Sequence, residues 1–505
     1  MDRRTFLHLS SAALLALPAC KPAKETNYPL PLFELISDRS RGHLIFGEKQ
    51  FEQGETIRKE VMIVGGGMAG LSAAYQLKNR DVVLCELSDK LGGNASAGEY
   101  KGGMFCQGAH YELTFPHYFG KEALGFFEEL GILYFDKVKN EWNFHDRQFM
   151  IRPGVESQCL DGGEYRDDVL PETDATDELF NLLNPLVGEL MLPTRLIPEH
   201  WQHLNQQTFT QFLSQNIDLG KKLKQALDYH MIDDFGGTAD EVSALAGAYY
   251  YAGRNYETVE PEIFSPPQGN YYFAQKIMKK LPAESLLTKH LVKKINPMAK
   301  GFEVEVLDLE QGFIKKYEVE KLVYAGQKHA LKYIYPQDYP LFSNTAYSPW
   351  IVMNFAMKQG LPQDGFWQNE LLTGKRGFMG FVDSASQFGA KGRTLSAYFC
   401  LPPNERKTLE TLEADPTPAL KEAIGQIAKY YQILPEQFAE MVEKVFVKMI
   451  GHAMPVPTPG YLLNDPNQRR SNPNLVYAGT DVNRLPLLLE AVDSGLVAGR
   501  MLVAG

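Results

Sequence analysis

The chain of 505 residues is long enough for two or more domains, and its 44% hydrophobic and 22% charged residues are typical of a globular protein. A net charge of −11 leaves no basic stripe to meet a phosphate backbone, so the composition argues against a nucleic-acid-binding protein. The sequence contains no C-x-x-C pair, which argues against a metal site or a dithiol redox centre. Its five cysteines are Cys20, Cys85, Cys106, Cys159 and Cys400.

The first twenty residues resemble a bacterial export signal. Arg3-Arg4-Thr5-Phe6-Leu7 opens a short apolar run to Leu17, the pattern of a twin-arginine signal. The run ends in Leu17-Pro18-Ala19-Cys20, which resembles a lipobox, although a proline is unusual there. We therefore expect export by the twin-arginine route to the periplasm and a lipid anchor at Cys20. The alternative is a chance pair of arginines beside a short apolar stretch.

Residues 21–57 are predicted to be a linker, because they contain three prolines and several charges. A short packing segment is expected around Leu44-Ile45-Phe46. The first domain is expected to begin at residue 58.

The strongest motif begins with the apolar stretch Val61–Val64, which predicts a buried parallel strand. It runs into Gly65-x-Gly67-x-x-Gly70 and then into apolar residues at helical spacing. In dinucleotide-binding folds the first glycine makes a tight turn, the second admits a pyrophosphate and the third lets the helix pack on the strand. The amides at the helix start then hold the phosphates. The predicted contacts are Gly65, Gly67, Met68, Ala69 and Gly70.

A second apolar strand, Val82–Cys85, ends at Glu86, which lies 21 residues after Gly65. A carboxylate at about this spacing accepts hydrogen bonds from the ribose hydroxyls. It would repel a 2′-phosphate, so FAD or NAD is favoured over NADP. A glycine-rich turn without a ligand is the alternative.

Leu91-Gly92-Gly93-Asn94 follows, and with this double-glycine turn the sequence resembles the flavin-dependent amine oxidase and phytoene desaturase superfamily. The resemblance implies FAD as the cofactor, with contacts from Gly92 and Gly93. In the family an Arg or Lys usually follows the two glycines and contacts the pyrophosphate. Here that residue is Asn94, which offers only a neutral hydrogen bond. The resemblance also brings His110 near the flavin, where it contacts flavin or substrate unless it is a hydrogen-bonded core histidine.

Residues 115–264 are predicted to be the first part of an inserted substrate domain, with helices at 123–130, 208–227 and 243–251. Asp233 and Asp234 either bind a cationic substrate, which the acidic composition mildly favours, or cap a helix or lie in solvent.

Residues 265–335 are predicted to return to the FAD-binding domain, with strands at 286–295, 302–309, 313–319 and 322–325. Val292 matches a residue that meets the adenine through its backbone in the family. The second part of the substrate domain follows at 336–445, where Trp350 and Trp367 either line a ligand site or fill the core.

Residues 446–505 are predicted to close the FAD-binding domain. The strand 475–478 leads into Gly479-Thr480-Asp481, and a helix begins near Leu489. This resembles the closing signature of the family, in which the Gly-Thr-acid turn approaches the pyrophosphate and the ribityl chain. The helix start, at Ala491 and Val492, points at the flavin pyrimidine ring and stabilises the negative charge of the reduced flavin.

The predicted fold class is therefore α/β (α+β overall): a Rossmann-like FAD-binding domain, begun at residues 58–114, with an inserted substrate-binding domain of mixed sheet and helices. The predicted function is an FAD-dependent oxidoreductase that oxidises an amine by hydride transfer to flavin N5. Oxygen or another acceptor would reoxidise the flavin.

The catalytic residues are not identified. Many members of the family have a lysine near flavin N5 and an aromatic pair that flanks the amine, and neither feature is matched to a position in this sequence. His452 and Tyr461 are candidates beside His110, unless their stretch is a proline-rich structural turn. Two alternatives stay open: a flavin desaturase or isomerase of a hydrophobic substrate, and a non-enzymatic flavoprotein.

Overall fold

The structure, a computed structural model, describes residues 28–46, 51–108, 118–253, 263–358, 360–362, 365–373 and 377–504. The chain divides into two units, Met1–Leu30 and Pro31–Gly505, and the helices and strands below all lie in the second. The predicted signal at residues 1–20, its Cys20 and the candidate His110 lie outside the described residues. None of the described helices is long and apolar enough to pass through a membrane.

Two large sheets form the framework. The first has eight strands in the order β1-β18-β14-β17-β16-β15-β8-β9. Its strands are β1 Leu32–Ile36, β8 Ser157–Asp161, β9 Glu164–Arg166, β14 Tyr347–Met357, β15 Gln368–Leu372, β16 Phe378–Asp383, β17 Arg393–Cys400 and β18 Val442–Pro455.

The second sheet has seven strands and carries the dinucleotide-binding motif. The order is β10-β3-β2-β13-β12-β11, and β19 pairs with the end of β13. Its strands are β2 Glu52–Val64, β3 Val82–Cys85, β10 Leu286–Leu287, β11 His290–Pro297, β12 Phe302–Asp308, β13 Phe313–Tyr324 and β19 Leu475–Tyr477. The remaining described strands form two separate hairpins. These are β4 Ala97–Tyr100 with β5 Gly103–Cys106, and β6 Leu133–Asp136 with β7 Glu141–Phe144.

The described α-helices surround these sheets. They are α1 Arg39–Gly42, α2 Met68–Gln76, α3 Lys121–Glu129, α4 Asp174–Leu183, α5 Phe209–Ser214, α6 Gly220–Phe235, α7 Ala244–Ala248, α8 Tyr271–Met278, α9 Leu331–Ile334, α10 Arg406–Ala414, α11 Thr417–Tyr430, α12 Pro435–Met441 and α13 Leu488–Ala504.

The predicted fold class is confirmed by the sheet that holds the glycine motif. The residues Val61–Val64 are buried at the end of β2, which runs parallel to β3 on one side and to β13 on the other. Strands covered on both faces are apolar without alternation, and this explains why the sequence pattern identified β2 and β3 correctly.

Some predicted elements differ from those in the structure, because the chain has local irregularities there. The two strands expected at 313–319 and 322–325 are one strand, β13, since the pairing with β2 runs on past residue 319. The helix expected at 208–227 is broken into α5 and α6, and Gly220 at the break has a φ of +56°, outside the right-handed helical region. The helix expected at 243–251 is the shorter helix α7, which ends at Ala248, and a short π-helix follows at Tyr249–Gly253.

The strand pairing in the structure does not follow two of the predicted domain boundaries. The segment 21–57, predicted to be a linker, contains β1, which pairs parallel with β18 so that Ile36 lies opposite Lys448. It also contains the beginning of β2. The boundary expected between residues 445 and 446 falls inside β18, and this whole strand belongs to the eight-stranded sheet. The β1–β18 pairing joins residues more than 400 positions apart, and β18 also pairs with the distant strand β14, so neither boundary could be deduced from local sequence patterns.

Close helix packing brings the two ends of the domain together. The last helix, α13, lies on α2, and a Cβ added at Gly495 would be 2.1 Å from the carbonyl oxygen of Ala69. One turn later, a Cβ at Gly499 would be 2.7 Å from Cβ of Gln76. Two glycines on one helix face therefore permit backbone-to-backbone packing.

We predict that Gly495→Ala lowers the free energy of unfolding by about 1–3 kcal/mol, because the methyl group forces α13 away from α2. The matched control is Gly425→Ala in α11, where an added Cβ has no heavy atom within 4 Å. That control should raise stability by about 0.5–1 kcal/mol through helix propensity. Urea unfolding of both variants measures the difference, and equal effects of the two substitutions would contradict the packing argument.

Candidate functional site

Four parallel strands end at the same level of the seven-stranded sheet. Val64 of β2 lies opposite both Cys85 of β3 and Tyr324 of β13, and Tyr324 lies opposite Tyr477 of β19. The turns that follow these strands therefore meet at one edge. In open α/β sheets this carboxyl edge is where ligands bind.

A cavity of about 980 Å³ begins at this edge and extends to the eight-stranded sheet. Its volume is at the upper end of the range of small-molecule and cofactor sites. The predicted cofactor contacts that line it are Gly65, Gly67, Met68, Ala69, Glu86, Gly92, Gly93, Asn94, Val292, Gly479, Thr480, Asp481 and Ala491. Gly70 and Val492 are buried behind the cavity wall rather than in it.

The three glycines of the motif have the geometry that their predicted roles require. Gly65 has a φ of +97°, and a Cβ there would be 2.8 Å from the backbone nitrogen of Gly326. A Cβ at Gly70 would be 1.9 Å from the carbonyl oxygen of Gly65. At Gly67 the nearest atom would be Cα of Gly93, at 3.9 Å, so this glycine leaves open space above the start of α2. A side chain at position 67 would thus be tolerated by the protein and would fill the cavity.

Glu86 is fixed at the end of β3 by backbone donors. Its carboxylate accepts hydrogen bonds from the N–H groups of Gly66, at 2.6 Å, and Ser88, at 2.8 Å. A carboxylate has about four acceptor positions, so two are left for hydroxyl groups in the cavity. Burial raises the pKa of Glu86 above its ordinary value, against the effect of these two donors.

Asn94 makes a structural contact at the position where the family has a basic residue. Its side-chain amide donates to the carbonyl oxygen of Ala453 at 2.7 Å. This bond ties the double-glycine turn to β18 of the other sheet. Asn94 is neutral, so it brings no positive charge to the double-glycine turn.

Lys328, in the turn after β13, is a buried residue that the sequence did not single out. Its ammonium group donates to the carbonyl oxygens of Gly326 and Ala478, at 2.9 and 2.8 Å, and to Oδ1 of Asp481 at 2.8 Å. The backbone N–H of Lys328 and the hydroxyl of Tyr347 both donate to Oδ2 of Asp481. Lys328 thus joins the turn after β13 to the turn after β19. Burial lowers the pKa of Lys328, although Asp481 acts in the opposite direction.

Two stacked imidazoles form part of the cavity wall beside Asp481. The ring centroids of His329 and His452 are 3.5 Å apart with an angle of 11°, and Nη1 of Arg406 donates to Nε2 of His452 at 2.6 Å. Burial lowers the pKa of His329 to about 4 and that of His452 to about 3, so both rings are neutral at pH 7. His452, one of the candidates from the sequence, lines the cavity.

Tyr461 agrees with the structural alternative that the sequence left open for its stretch. It does not line the cavity, and its hydroxyl donates to the carbonyl oxygen of Thr480 at 3.2 Å. Tyr461 thus supports the Gly479-Thr480-Asp481 turn from behind.

The far end of the cavity combines acidic and aromatic groups. Asp233 and Asp234, at the end of α6, both line it. Trp350 also lines it and stacks on Tyr398, with centroids 5.6 Å apart and an angle of 16°. Trp367, by contrast, is fully buried in the core and donates its indole N–H to Oγ of Ser265.

Asn270 is a cavity residue that sequence patterns did not identify. It is fully buried immediately before α8, and neither its amide nitrogen nor its oxygen has a hydrogen-bond partner among the described residues. Buried polar groups are rarely left without partners, so such an amide in a cavity wall points to a bound molecule.

Comparisons with known proteins agree with this architecture. Residues 63–130 match the family described as an NAD(P)-binding Rossmann-like domain. No curated protein matches the chain. A triple mutant of putrescine oxidase superposes with a TM-score of 0.64 at 15% identity, over 89% of this chain and 99% of the other. The chain shares the fold of that protein.

Two further solved structures share that fold. Cyclohexylamine oxidase from Brevibacterium oxydans IH-35A matches with a TM-score of 0.62 at 15% identity, over 88% of this chain and 99% of that one. A protein assigned as a protoporphyrinogen oxidase, from Exiguobacterium sp. 255-15, matches with a TM-score of 0.56 at 17% identity, over 89% and 98%. These identities establish a common architecture, and the chemistry has to be argued from the cavity.

The residues that line this cavity fit a dinucleotide cofactor. Gly67 leaves free space at the positive end of α2, where a pyrophosphate would lie. Glu86 retains acceptor positions for ribose hydroxyls. The first turn of α13, with Ala491 in the wall, supplies a second helix N-terminus at the same cavity.

We predict that Lys328→Met lowers the free energy of unfolding by about 3–5 kcal/mol, because it leaves the buried Asp481 carboxylate without its ion-pair partner. Lys332→Met, which removes a nearby exposed lysine, is the control and should change stability by less than about 0.5 kcal/mol. Chemical denaturation measures both values. A Lys328→Met protein as stable as the control would contradict the assigned role of the ion pair.

Proposed function

We propose that the protein is an FAD-dependent oxidoreductase that oxidises the C–N bond of an amine. One observation carries the proposal. A single cavity is lined at one end by the glycine motif and the closing Gly479-Thr480-Asp481 turn, and at the other end by Asp233 and Asp234. A cofactor held at the first end would thus face a cation held at the second.

The cofactor end is built from backbone groups and one acid. The N–H groups at the start of α2 bind phosphates, and Glu86 accepts hydrogen bonds from a ribose. The N-terminus of α13, at Ala491, presents the positive end of a helix dipole to the cavity, which favours negative charge there. When bound, FAD supplies the hydride acceptor for the oxidation.

The substrate end provides negative charge and aromatic faces. The carboxylates of Asp233 and Asp234 attract an ammonium group, and the Trp350–Tyr398 pair offers ring faces that bind cations. Behind them, Glu370 is buried, and this burial together with Asp168 and Asp233 raises its pKa well above the ordinary value. A raised pKa favours the protonated form of Glu370, which lowers the repulsion among these acids.

The sequence features outside the described residues complete the proposal. The twin-arginine-like signal supports export of the folded, FAD-loaded protein to the periplasm, with Cys20 as a lipid anchor. Oxygen or another acceptor would reoxidise the flavin. Small-molecule amines are the proposed substrates.

A second candidate is a flavin desaturase or isomerase of a hydrophobic substrate. Pro486 and Leu487 line the cavity just before α13, as does Leu488, the first residue of that helix, and together they make this part of the wall apolar. The structural match to the protein assigned as a protoporphyrinogen oxidase is compatible with this candidate.

Anaerobic flavin reduction distinguishes the candidates. Putrescine and cyclohexylamine serve as amine probes, and a polyene serves as the apolar probe. We expect the amines to abolish the visible absorbance of the flavin and the polyene to leave it unchanged. Asp233→Asn should raise the amine concentration needed by about tenfold, because one charge-assisted contact is lost.

The control for that variant is Asp240→Asn, an exposed acid paired with Lys224 outside the cavity, which should behave like the wild type. Reduction by the polyene alone would favour the second candidate. A flavin that stays oxidised with every probe would identify a non-enzymatic flavoprotein.

We predict that Gly67→Val yields a folded protein without cofactor. The added Cβ meets no protein atom closer than 3.9 Å, so the side chain occupies the space of the pyrophosphate instead of distorting the backbone. Gly125→Ala in α3, with no heavy atom within 4 Å of the new Cβ, is the control and should retain the wild-type flavin content. Absorbance spectra of the purified proteins measure the result. A fully yellow Gly67→Val protein would show that the cofactor lies elsewhere.

A further inference from the structure

The charge balance of the cofactor end is incomplete without one more residue. FAD carries two negative charges on its pyrophosphate, and the position that is basic in the resembled family holds Asn94. The amide of Asn94 is already bonded to the carbonyl oxygen of Ala453. The described cavity wall should therefore contain a cation that has no carboxylate of its own.

The described cavity wall contains four lysine and arginine side chains, those of Arg39, Lys332, Arg406 and Lys448. Arg39 forms ion pairs with Glu410 and Glu413, and Arg406 donates to His452. Lys332 is exposed and lies over the ring of Tyr333. Three of the four thus have partners or face solvent.

Lys448 differs from these three. Its ammonium group donates to Oγ of Ser96 at 2.6 Å, and no described carboxylate lies within ion-pair distance of it. Burial lowers its pKa, whereas Asp38 and Glu86 act at longer range in the opposite direction. A half-buried ammonium group with one neutral partner is costly, and a bound anion would remove that cost.

The fold places Lys448 beside the double-glycine turn. Its partner Ser96 donates its backbone N–H to the carbonyl oxygen of Gly93, so the two residues belong to one turn. Strand β18 thus contacts this turn twice, through Lys448 to Ser96 and through Ala453 to Asn94. Gly67 lies directly against the same turn, since a Cβ on Gly93 would be 3.1 Å from Cα of Gly67.

We propose that Lys448 binds the pyrophosphate of the cofactor and supplies, from β18, the positive charge that the double-glycine turn lacks at Asn94. The proposal rests on the proposed FAD-dependent function. It assigns a cofactor contact to the eight-stranded sheet, which otherwise builds the substrate end of the cavity.

The test compares FAD and ADP affinities of the apoprotein and its variants. Lys448→Met should weaken the binding of both ligands by about tenfold to a hundredfold, because a charge-assisted contact is lost. Adenosine, which has no pyrophosphate, should bind wild type and variant equally. Lys448→Arg should keep most of the FAD affinity. Adding Asn94→Arg to Lys448→Met should restore FAD affinity, because the charge returns to the position that is basic in the resembled family.

The matched control is Lys444→Met. Lys444 lies on the same face of β18, four residues earlier, and pairs with Glu34 outside the cavity. It should bind FAD like the wild type. Unchanged FAD affinity in Lys448→Met, an equal loss for adenosine, or no recovery with Asn94→Arg would each overturn the proposal. A wild-type protein that binds neither FAD nor ADP would overturn the proposed function as well.

Discussion

The contact between Gly495 and the carbonyl of Ala69 brings together parts of the chain that lie more than 400 residues apart. Since Gly495 has no side chain, α13 packs directly on the backbone of α2 at this point, and the helix after the closing motif lies on the helix after the opening motif. The parallel strands β2, β3, β13 and β19 end in register at the same edge. The cofactor end of the cavity exists only because both constraints hold at once.

Buried charges fix the loops at this edge. Lys328 is enclosed between two turns and satisfies Asp481, and Arg484 pairs with both Glu490 and Asp493 at the start of α13. Breaking such pairs is expensive because the remaining charge stays buried. The turns around the cavity are therefore held by ion pairs rather than by apolar packing alone. A rigid wall of this kind suits a ligand that must be bound in one orientation.

The sequence predicted the parts of the site that depend on short-range patterns. Gly65, Gly67 and Glu86 follow apolar strands at fixed spacing, and their backbone geometry in the structure is the geometry that this spacing requires. The sequence did not identify Lys328, Lys448 or Asn270 as site residues. Their importance depends on partners, or on the lack of partners, far away in the chain. For the same reason the sequence left open whether Tyr461 enters the cavity or belongs to a structural turn. The sequence pattern around an aromatic residue near a turn is the same whether the side chain faces the cavity or supports the turn from behind.

Strand β1 has a consequence for how the protein is made. It is the first strand of the fold and forms the edge of the eight-stranded sheet, but its partner is β18, near the end of the chain. The ribosome adds about 5–20 residues per second, so roughly 20–80 s separate the synthesis of Ile36 from that of Lys448. During that interval β1 has no partner strand, and this edge of the eight-stranded sheet cannot form until β18 has been synthesised.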